Sequence, residues 1–145
     1  MTTWIERLAL VAGLLAVACA LGLCRRFTDG RVRTVAKDVQ VNPAELGAPF
    51  GAPVTLLQFS SPACGPCRIV RRLLADVAEG DDRVAHVELD ATEHLALVER
   101  LHILRTPTTV VLDAQGRVRL RFSGVPTRAE VGTAVDTVAR QSILI

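Results

Sequence analysis

Aromatic side chains are scarce in this sequence of 145 residues: they make up 3% of it, with four Phe, one Trp and no Tyr. Surfaces that bind nucleic acids usually combine clustered basic side chains with aromatic rings. Because that combination does not occur here and the net charge is only +2, we expect no nucleic-acid partner. The core must be built from aliphatic residues, which is typical of an α/β domain with a buried sheet.

Cysteine is also rare, and its four copies do not form a disulfide scaffold of the kind that holds small secreted domains together. Cys19 and Cys24 lie in an apolar N-terminal stretch, which leaves only Cys64 and Cys67 for the folded part. Internal repeats and low-complexity segments are absent. The roughly 100 to 115 residues beyond the apolar stretch suffice for one domain, and we expect a monomer.

Residues 8–24 form an apolar run without a charged side chain. As a helix this run would be about 25 Å long, close to the ~30 Å hydrocarbon core of a bilayer. Trp4 before it and Arg25 and Arg26 after it are typical of membrane interfaces. The sequence therefore predicts one transmembrane helix in an N-terminal segment, residues 1–27, of a single-pass protein of the cell membrane.

A secretory signal peptide that is later removed is the alternative for this segment. Signal peptides begin with basic residues and have a shorter apolar run, whereas Glu6 offsets Arg7 here. The three residues before Cys19 weakly resemble a bacterial lipoprotein signal, but Ala16 stands where a large aliphatic residue is usual. We favour a retained anchor.

Positive charges are more numerous after the apolar run than before it, where only Arg7 and the amino terminus are positive. The basic residues that follow are Arg25, Arg26, Arg31, Arg33 and Lys37. Since positively charged flanks stay in the cytoplasm, we expect the rest of the chain to face the cytoplasm. That reducing compartment would keep a cysteine pair as a dithiol and favour disulfide reduction. The opposite orientation is the alternative.

Beyond a basic tether and a short helical turn, together residues 28–46, the patterning predicts the order βαβαββα in a domain of residues 47–145. The predicted strands are Val54–Phe59, Val84–Leu89, Thr109–Leu112 and Arg117–Phe122. The predicted helices are Arg68–Ala78, Thr92–Leu101 and Thr127–Arg140. We expect the apolar side of each helix to be buried, including Ile69 on the first and Leu95 on the second.

Two cysteines three residues apart, Cys64 and Cys67, stand between the first strand and the first helix. Their thiols would face one another across a helical turn, where they can close a disulfide and open it again. The same spacing also occurs in metal sites, which need further ligands. The histidines that the chain offers are His86, His94 and His102. A metal-binding module is therefore an alternative, and we expect no metal or other cofactor.

These features resemble the thioredoxin-like proteins across nearly the whole part beyond the anchor. Residues 64–67 have the Cys-Gly-Pro-Cys sequence of thioredoxins, residues 106–108 are similar to the family's cis-proline loop, and Gly124 falls in family order. The anchor and tether look like those of membrane-tethered bacterial members. The resemblance implies a central mixed sheet flanked by helices, protein disulfides as substrates, a reductase as electron donor and no bound cofactor.

The motif residues have distinct expected roles. Cys64 would be the attacking thiol, because N–H groups at a helix start favour the thiolate. Cys67, one turn deeper, would resolve the mixed disulfide. Gly65 lets a partner's backbone come close, and Pro66 fixes φ where the helix begins.

Pro107 is a candidate site residue outside the motif. The resemblance implies a cis peptide bond there, beside the cysteines, with the backbone of Thr106 free to pair with an extended substrate. An isolated X-Pro bond is cis in only about 5–6% of cases, so this expectation depends on the resemblance.

Three positions depart from thioredoxin. Gln58 stands where a buried aspartate usually accepts the proton of the resolving thiol, and an amide takes no proton at neutral pH. His86 replaces the accompanying lysine and titrates near neutrality, so we consider it as base for Cys67, bridged by Gln58. The alternative is a histidine merely satisfied by hydrogen bonds. Ala63 replaces the tryptophan before the first cysteine, which changes the docking surface.

The sequence thus predicts a membrane-anchored thiol-disulfide oxidoreductase that reduces protein disulfides through Cys64 and Cys67. One alternative is an extracytoplasmic oxidoreductase for cytochrome maturation or envelope proteins. The other is the metal-binding module that uses the same cysteines.

Overall fold

The computed structural model describes residues 4–28, 33–34, 39–47, 50 and 53–143. Its elements are α1 (Trp4–Thr28), β1 (Arg33–Thr34), α2 (Pro43–Leu46), β2 (Val54–Ser60), α3 (Gly65–Glu79), β3 (Val84–Asp90), α4 (Leu95–Arg100), β4 (Thr108–Asp113), β5 (Val118–Ser123) and α5 (Arg128–Ile143). From β2 onward the predicted order βαβαββα is confirmed. The element bounds differ from the predicted ones by up to three residues.

The strands form one mixed sheet in the order β1-β5-β4-β2-β3. β2 and β3 are parallel, which requires a crossover, here α3. β4 is antiparallel to β2, and β5 is antiparallel to β4. One end of the sheet, which we call the motif end, is therefore where β2, β3 and β5 finish and β4 begins. The β4–β5 turn around Gly116 marks the opposite hairpin end.

β1 lies in a segment that the sequence predicts as a tether. It pairs antiparallel with β5, with Arg33 opposite Arg121 and Thr34 opposite Leu120. A strand of two residues has too few positions to show an alternating pattern. Residues 29–32 and 35–38 of that segment, with Arg31 and Lys37, lie outside the described residues.

Residues 39–47 pack along the hairpin end. The N–H of Val41 donates to the carbonyl of Gly116 at 2.9 Å, and Val41 and Leu46 are buried. Gly116 has φ +75°, and a Cβ there would lie only 2.4 Å from the carbonyl oxygen of Val41. Both the turn and the close approach therefore require glycine.

Each face of the sheet carries a hydrophobic cluster. α3 and α5 cover one face, while α4, α2 and Val41 cover the other. The side chains predicted to face inward from the last helix are all buried; they are Val131, Ala134, Val135 and Val138. Thr127 and Glu130 form a capping box at its start, with the Thr127 N–H donating to the Glu130 carboxylate at 2.7 Å. The two clusters fix the helices relative to the motif end.

Two side chains predicted to be buried are exposed. Ile69 on α3 is 60% exposed and Leu95 at the start of α4 is 67% exposed. In α3 the buried line runs through Val70 and Leu74, and each residue turns about 100° from its predecessor. In α4, Leu97 points inward instead. The apolar spacing alone did not fix which edge of each stripe is solvent-facing.

α1 contains an apolar segment, Glu6–Cys24, with a mean hydropathy of 2.2 and no part buried against the rest of the protein. It is long and apolar enough to cross a membrane. A signal sequence near an N-terminus can meet the same criterion of length and composition. The side chains of Arg25 and Arg26 lie outside the described residues.

Candidate active site

The cysteine pair lies between the end of β2 and the first turn of α3. Cys64 is the N-cap of the helix, with φ −89° and ψ 95°, and Pro66 lies in the first turn. Cys64 and Cys67 form a disulfide with their Cα atoms 5.4 Å apart. The expected facing of the two sulfurs across a helical turn is therefore present.

The two sulfurs differ in access. Cys64 is half-buried at the surface, whereas Cys67 is 2% exposed. The unpaired N–H groups of the first turn of α3 lie beside Cys64 and favour negative charge there. An incoming partner can therefore reach Cys64 first, and Cys64 carries the group better suited to exist as a thiolate.

The loop before β4 lies directly beside the motif. The Thr106–Pro107 peptide bond is cis, as predicted. Thr108 pairs with Phe59 of β2, which places Pro107 next to the segment that leads into the cysteines. The hydroxyls of Ser61 and Thr106 are 3.0 Å apart. This bond joins the lead into the motif to the cis-proline loop.

A groove of about 450 Å³ opens beside the disulfide. Its walls come from the end of β2, the motif, the exposed side of α3 and the end of β3. The charged and sulfur-bearing residues that line it are Cys64, Cys67, Arg68, Arg71 and Asp90. The groove is thus open to solvent next to the reachable sulfur.

Gln58 lies buried beneath the cysteines, with none of its surface exposed. Its side-chain Nε2 donates to the carbonyl oxygen of Cys67 at 3.0 Å and lies 3.5 Å from Oε1 of Glu88. Its Oε1 is 3.2 Å from Nε2 of His86. The parallel register places Gln58 directly opposite Glu88 on β3. Three groups therefore meet at one amide.

These contacts show which ring nitrogen of His86 donates to Gln58. Because the amide nitrogen of Gln58 faces two acceptors, its oxygen must face His86, so the histidine donates from Nε2. Burial lowers the pKa of His86; the Glu88 carboxylate opposes that shift and Arg71 adds to it. The hydrogen-bond chain from His86 ends at the carbonyl of Cys67, not at its sulfur. A role of His86 as base stays a prediction.

The sequence reasoning missed an ion pair at this site. Arg71 on α3 donates through Nε and Nη2 to the Glu88 carboxylate, at 2.9 Å for Nη2. Burial by itself raises the pKa of Glu88, but the hydrogen bonds from Arg71 and Ser60 outweigh it, so the net pKa is lowered. Glu88 is therefore a lasting negative charge at neutral pH. The strand register that brings Glu88 to Gln58 carries no signal in the sequence.

The other histidines lie apart from the cysteines. His94 precedes α4 and has its Nδ1 3.0 Å from the carbonyl of Asp90, and His102 follows that helix. Within the part of the chain that the structure describes, no three His, Cys, Asp or Glu side chains are grouped to hold a metal ion. A metal site at Cys64 and Cys67 needs further ligands, and the described residues do not bring any to them.

Comparison with known proteins gives one family match, the thioredoxin-like domain, over residues 49–139. Solved structures with the same fold include a mutant thioredoxin from Halobacterium salinarum, with a TM-score of 0.55 and 23% identity over 61% of this chain and 76% of that one. Mitochondrial thioredoxin 3 from Saccharomyces cerevisiae, in its oxidized form, has a TM-score of 0.53 and 17% identity over 59% and 79%. A thioredoxin from Nicotiana alata has a TM-score of 0.53 and 20% identity over 59% and 72%. The curated proteins give no match.

At these identities the solved structures establish the fold. The family match covers more than half of the chain and includes the cysteine motif and the cis-proline loop. The expected mixed sheet with flanking helices is confirmed. A pair of nearby cysteines in this fold supports thiol-disulfide oxidoreductase activity in general.

Proposed function

Since this chain belongs to the thioredoxin-like domain family, we propose that it is a membrane-anchored thiol-disulfide oxidoreductase that reduces protein disulfides. The observation that carries this proposal is the asymmetric pair at the start of α3. Cys64 is reachable at the N-cap and Cys67 is buried behind it. One sulfur is thus placed to meet a partner and the other to finish the exchange.

In the reduced protein the Cys64 thiolate attacks one sulfur of the partner's disulfide. The partner's S–S bond breaks, and its departing sulfur takes a proton. Cys67 then loses its proton and attacks the sulfur of Cys64, which releases the partner's second thiol. The partner gains two electrons and two protons, while the domain is left with the Cys64–Cys67 disulfide. A dithiol reductase returns the two electrons.

The remaining site residues serve this exchange by position. Nothing lies within 4 Å of where a Cβ of Gly65 would be, so the space above it is open to a partner's backbone. Pro66 holds the first turn, and Pro107 brings the backbone of Thr106 beside the cysteines. We assign the proton balance of Cys67 to His86, because its ordinary pKa is the nearest to neutrality in that network, and we assign to Gln58 the positioning of His86 beside the Cys67 backbone.

The anchor and the compartment belong to the same proposal. α1 holds the protein in the membrane through residues 8–24, and the domain, residues 47–145, faces the cytoplasm because basic residues follow the span. The cytosol keeps the cysteines reduced between turnovers. Labelling of Cys64 by an impermeant thiol reagent should need permeabilised cells; labelling in intact cells would contradict this orientation.

The exchange is tested with the full-length chain in detergent, in a Cys19→Ser/Cys24→Ser background that leaves only the motif thiols. Cys64→Ser should abolish reduction of a protein disulfide. Cys67→Ser should instead accumulate a mixed disulfide between Cys64 and the substrate, visible on a non-reducing gel. Stoichiometric zinc or copper in the purified protein, without reductase activity, would contradict the proposal and favour the metal-binding alternative.

A further inference from the structure

We propose that the motif end of the domain faces the bilayer, and that the substrate disulfides belong to integral membrane proteins and lie at the membrane surface. This inference rests on the membrane-anchored function proposed above. It follows from where the chain enters the sheet, how few residues separate that point from α1, and where the exposed apolar side chains lie.

The chain enters the sheet in its motif half. Arg33 of β1 pairs with Arg121 of β5, and Arg121 pairs with Val110 of β4, so these three residues form one row across the sheet. Val110 is only three residues from Pro107. β1 is antiparallel to β5, and its second residue, Thr34, is opposite Leu120. β1 therefore runs from the motif end towards the hairpin end. The anchor is therefore attached on the side of the disulfide.

The distance available is short. α1 ends at Thr28 and β1 begins at Arg33, so four residues can separate the two by at most about 18 Å. Two strand spacings and three residues along β4 place Pro107 about 14 Å from Arg33. The cis-proline loop then lies no more than about 32 Å from the end of the anchor.

The fastening of residues 39–47 keeps this distance short. A free segment of 19 residues, 28–46, would reach about 65 Å. In the structure the described residues of this segment run along the sheet: β1 pairs with β5, and Val41 bonds to Gly116 at the hairpin end. Glu45 of α2 also accepts two hydrogen bonds from Arg100 of α4, each at 2.8 Å. Residues 33–34 and 39–47 therefore belong to an edge of the domain.

The exposed apolar side chains of the domain independently point to the same end. Among the described residues beyond α1, the large hydrophobic side chains that are exposed are Ile69, Leu95, Leu104 and Val125. Ile69 follows Cys67, Leu104 precedes Pro107, Val125 follows the end of β5, and Leu95 follows the end of β3. All four therefore lie at the motif end, and Leu104 is 92% exposed. We call these four side chains the apolar rim; exposed apolar groups at the end of the sheet that carries the reactive sulfur suit a partner at the surface of a bilayer.

The reaction at this surface is the exchange described above. The Cys64 thiolate attacks a disulfide in a membrane protein's loop on the same side of the bilayer as the domain, Cys67 closes the domain's own disulfide, and the loop is left as a dithiol. A soluble dithiol such as dithiothreitol can supply the two electrons in the test.

The test uses the full-length chain in phosphatidylcholine vesicles with three disulfide probes. A near probe is a transmembrane model helix whose disulfide loop follows its apolar segment directly. A far probe carries the same loop on a proline spacer of about 90 Å. A soluble peptide with the same loop reports exchange alone. We expect the near probe to be reduced at least about tenfold faster than the far probe, because anchoring concentrates the site near the bilayer.

A flexible insertion provides the decisive variant. A Gly/Ser spacer of about 20 residues between Asp29 and Gly30 should bring the near-to-far ratio towards one. The same spacer added after Ile145 is the matched control and should leave the ratio unchanged. Equal rates for the two probes in the unmodified chain, or a ratio that the insertion does not move, would overturn the orientation.

The soluble probe separates the two proposals. If it is reduced while the near probe is not, the orientation is wrong and the oxidoreductase function stands. If none of the three probes is reduced, both proposals fall.

Discussion

Gln58 changes what the site beneath the disulfide can do. A buried acid at this position would be able to take a proton from Cys67, but the amide instead donates to the Cys67 carbonyl and accepts from His86. Every polar atom of its side chain thereby has a partner, which is the condition for placing an amide in a core. The amide fixes the geometry of the resolving cysteine and leaves the titration to its neighbours.

His86 should make the stability of the domain depend on pH. Its folded-state pKa is lowered by burial, with Glu88 opposing and Arg71 assisting, so below about pH 6.5 the unfolded chain binds more protons than the folded one. The stabilisation is thus present above pH 6.5 and is lost as the pH falls through the folded-state pKa. We expect the free energy of unfolding in urea to decline from pH 7 towards pH 5.

The matched variants are His86→Gln and His102→Gln. His86→Gln should flatten the decline between pH 7 and pH 5, because no group at that position titrates any longer. The exposed His102 makes no comparable contact with Gln58, so its replacement should leave the decline in place. An unchanged profile in His86→Gln would show that another group causes it.

His86 also gives a kinetic prediction. If it governs the proton balance of Cys67, then His86→Ala should slow the release of the mixed disulfide several-fold, with a loss of pH dependence between pH 6 and 8. The rate is read from the decay of the transient mixed disulfide, with Cys67 intact, after mixing with a disulfide peptide. A turnover that is the same as that of the parent protein at every pH would contradict this role.

At the scale of the elements, continuous apolar runs and helical spacing predicted every strand and helix from β2 to α5. They did so because β2 is buried on both faces and α5 on one, so burial leaves a periodic trace in the sequence. β1 left no such trace, since a strand of two residues is too short to show an alternating pattern. The exposure of Ile69 and Leu95 was not predicted, because an apolar stripe along a helix does not show which of its residues another element covers.

The candidate active site likewise has one part that the sequence predicts and another that it does not. The cysteine pair and the cis-proline loop were predicted from contiguous motifs, which are visible in a single sequence. The Arg71–Glu88 ion pair and the contact of Glu88 with Gln58 depend on the register of β2 and β3. Register is fixed by packing across the sheet, and no local pattern records it.

Gly116 tests whether the edge formed by residues 39–47 is integral to the domain. Gly116→Ala combines a strained φ of +75° with a Cβ placed 2.4 Å from the Val41 carbonyl. Gly47→Ala is the matched control, since its φ is +63° but nothing lies within 4 Å. We expect the control to lose about 1 kcal/mol of unfolding free energy, and Gly116→Ala to lose distinctly more. Equal losses of unfolding free energy in the two variants, measured in urea, would show that residues 39–47 do not pack tightly against the β4–β5 hairpin.

At the scale of the whole molecule, the proposed anchor, the edge strand and the active site would act as one unit. With α1 in a membrane, the four residues after it would limit how far the sheet can move from the bilayer, and the pairing of β1 would decide which end of the sheet is nearest. Membrane attachment would thus select substrates by height above the bilayer as much as by the chemistry of the groove.

The apolar rim at the motif end supplies the last prediction. Leu104 is 92% exposed, and a charged side chain there would have to lose water wherever the rim meets a partner at the bilayer surface. Leu104→Asp should therefore lower the rate for the near probe several-fold relative to the soluble probe. Ala114→Asp adds the same charge at the exposed hairpin end and should leave that ratio unchanged. Equal ratios in the two variants would mean that the rim does not meet the substrate, whichever way the domain faces.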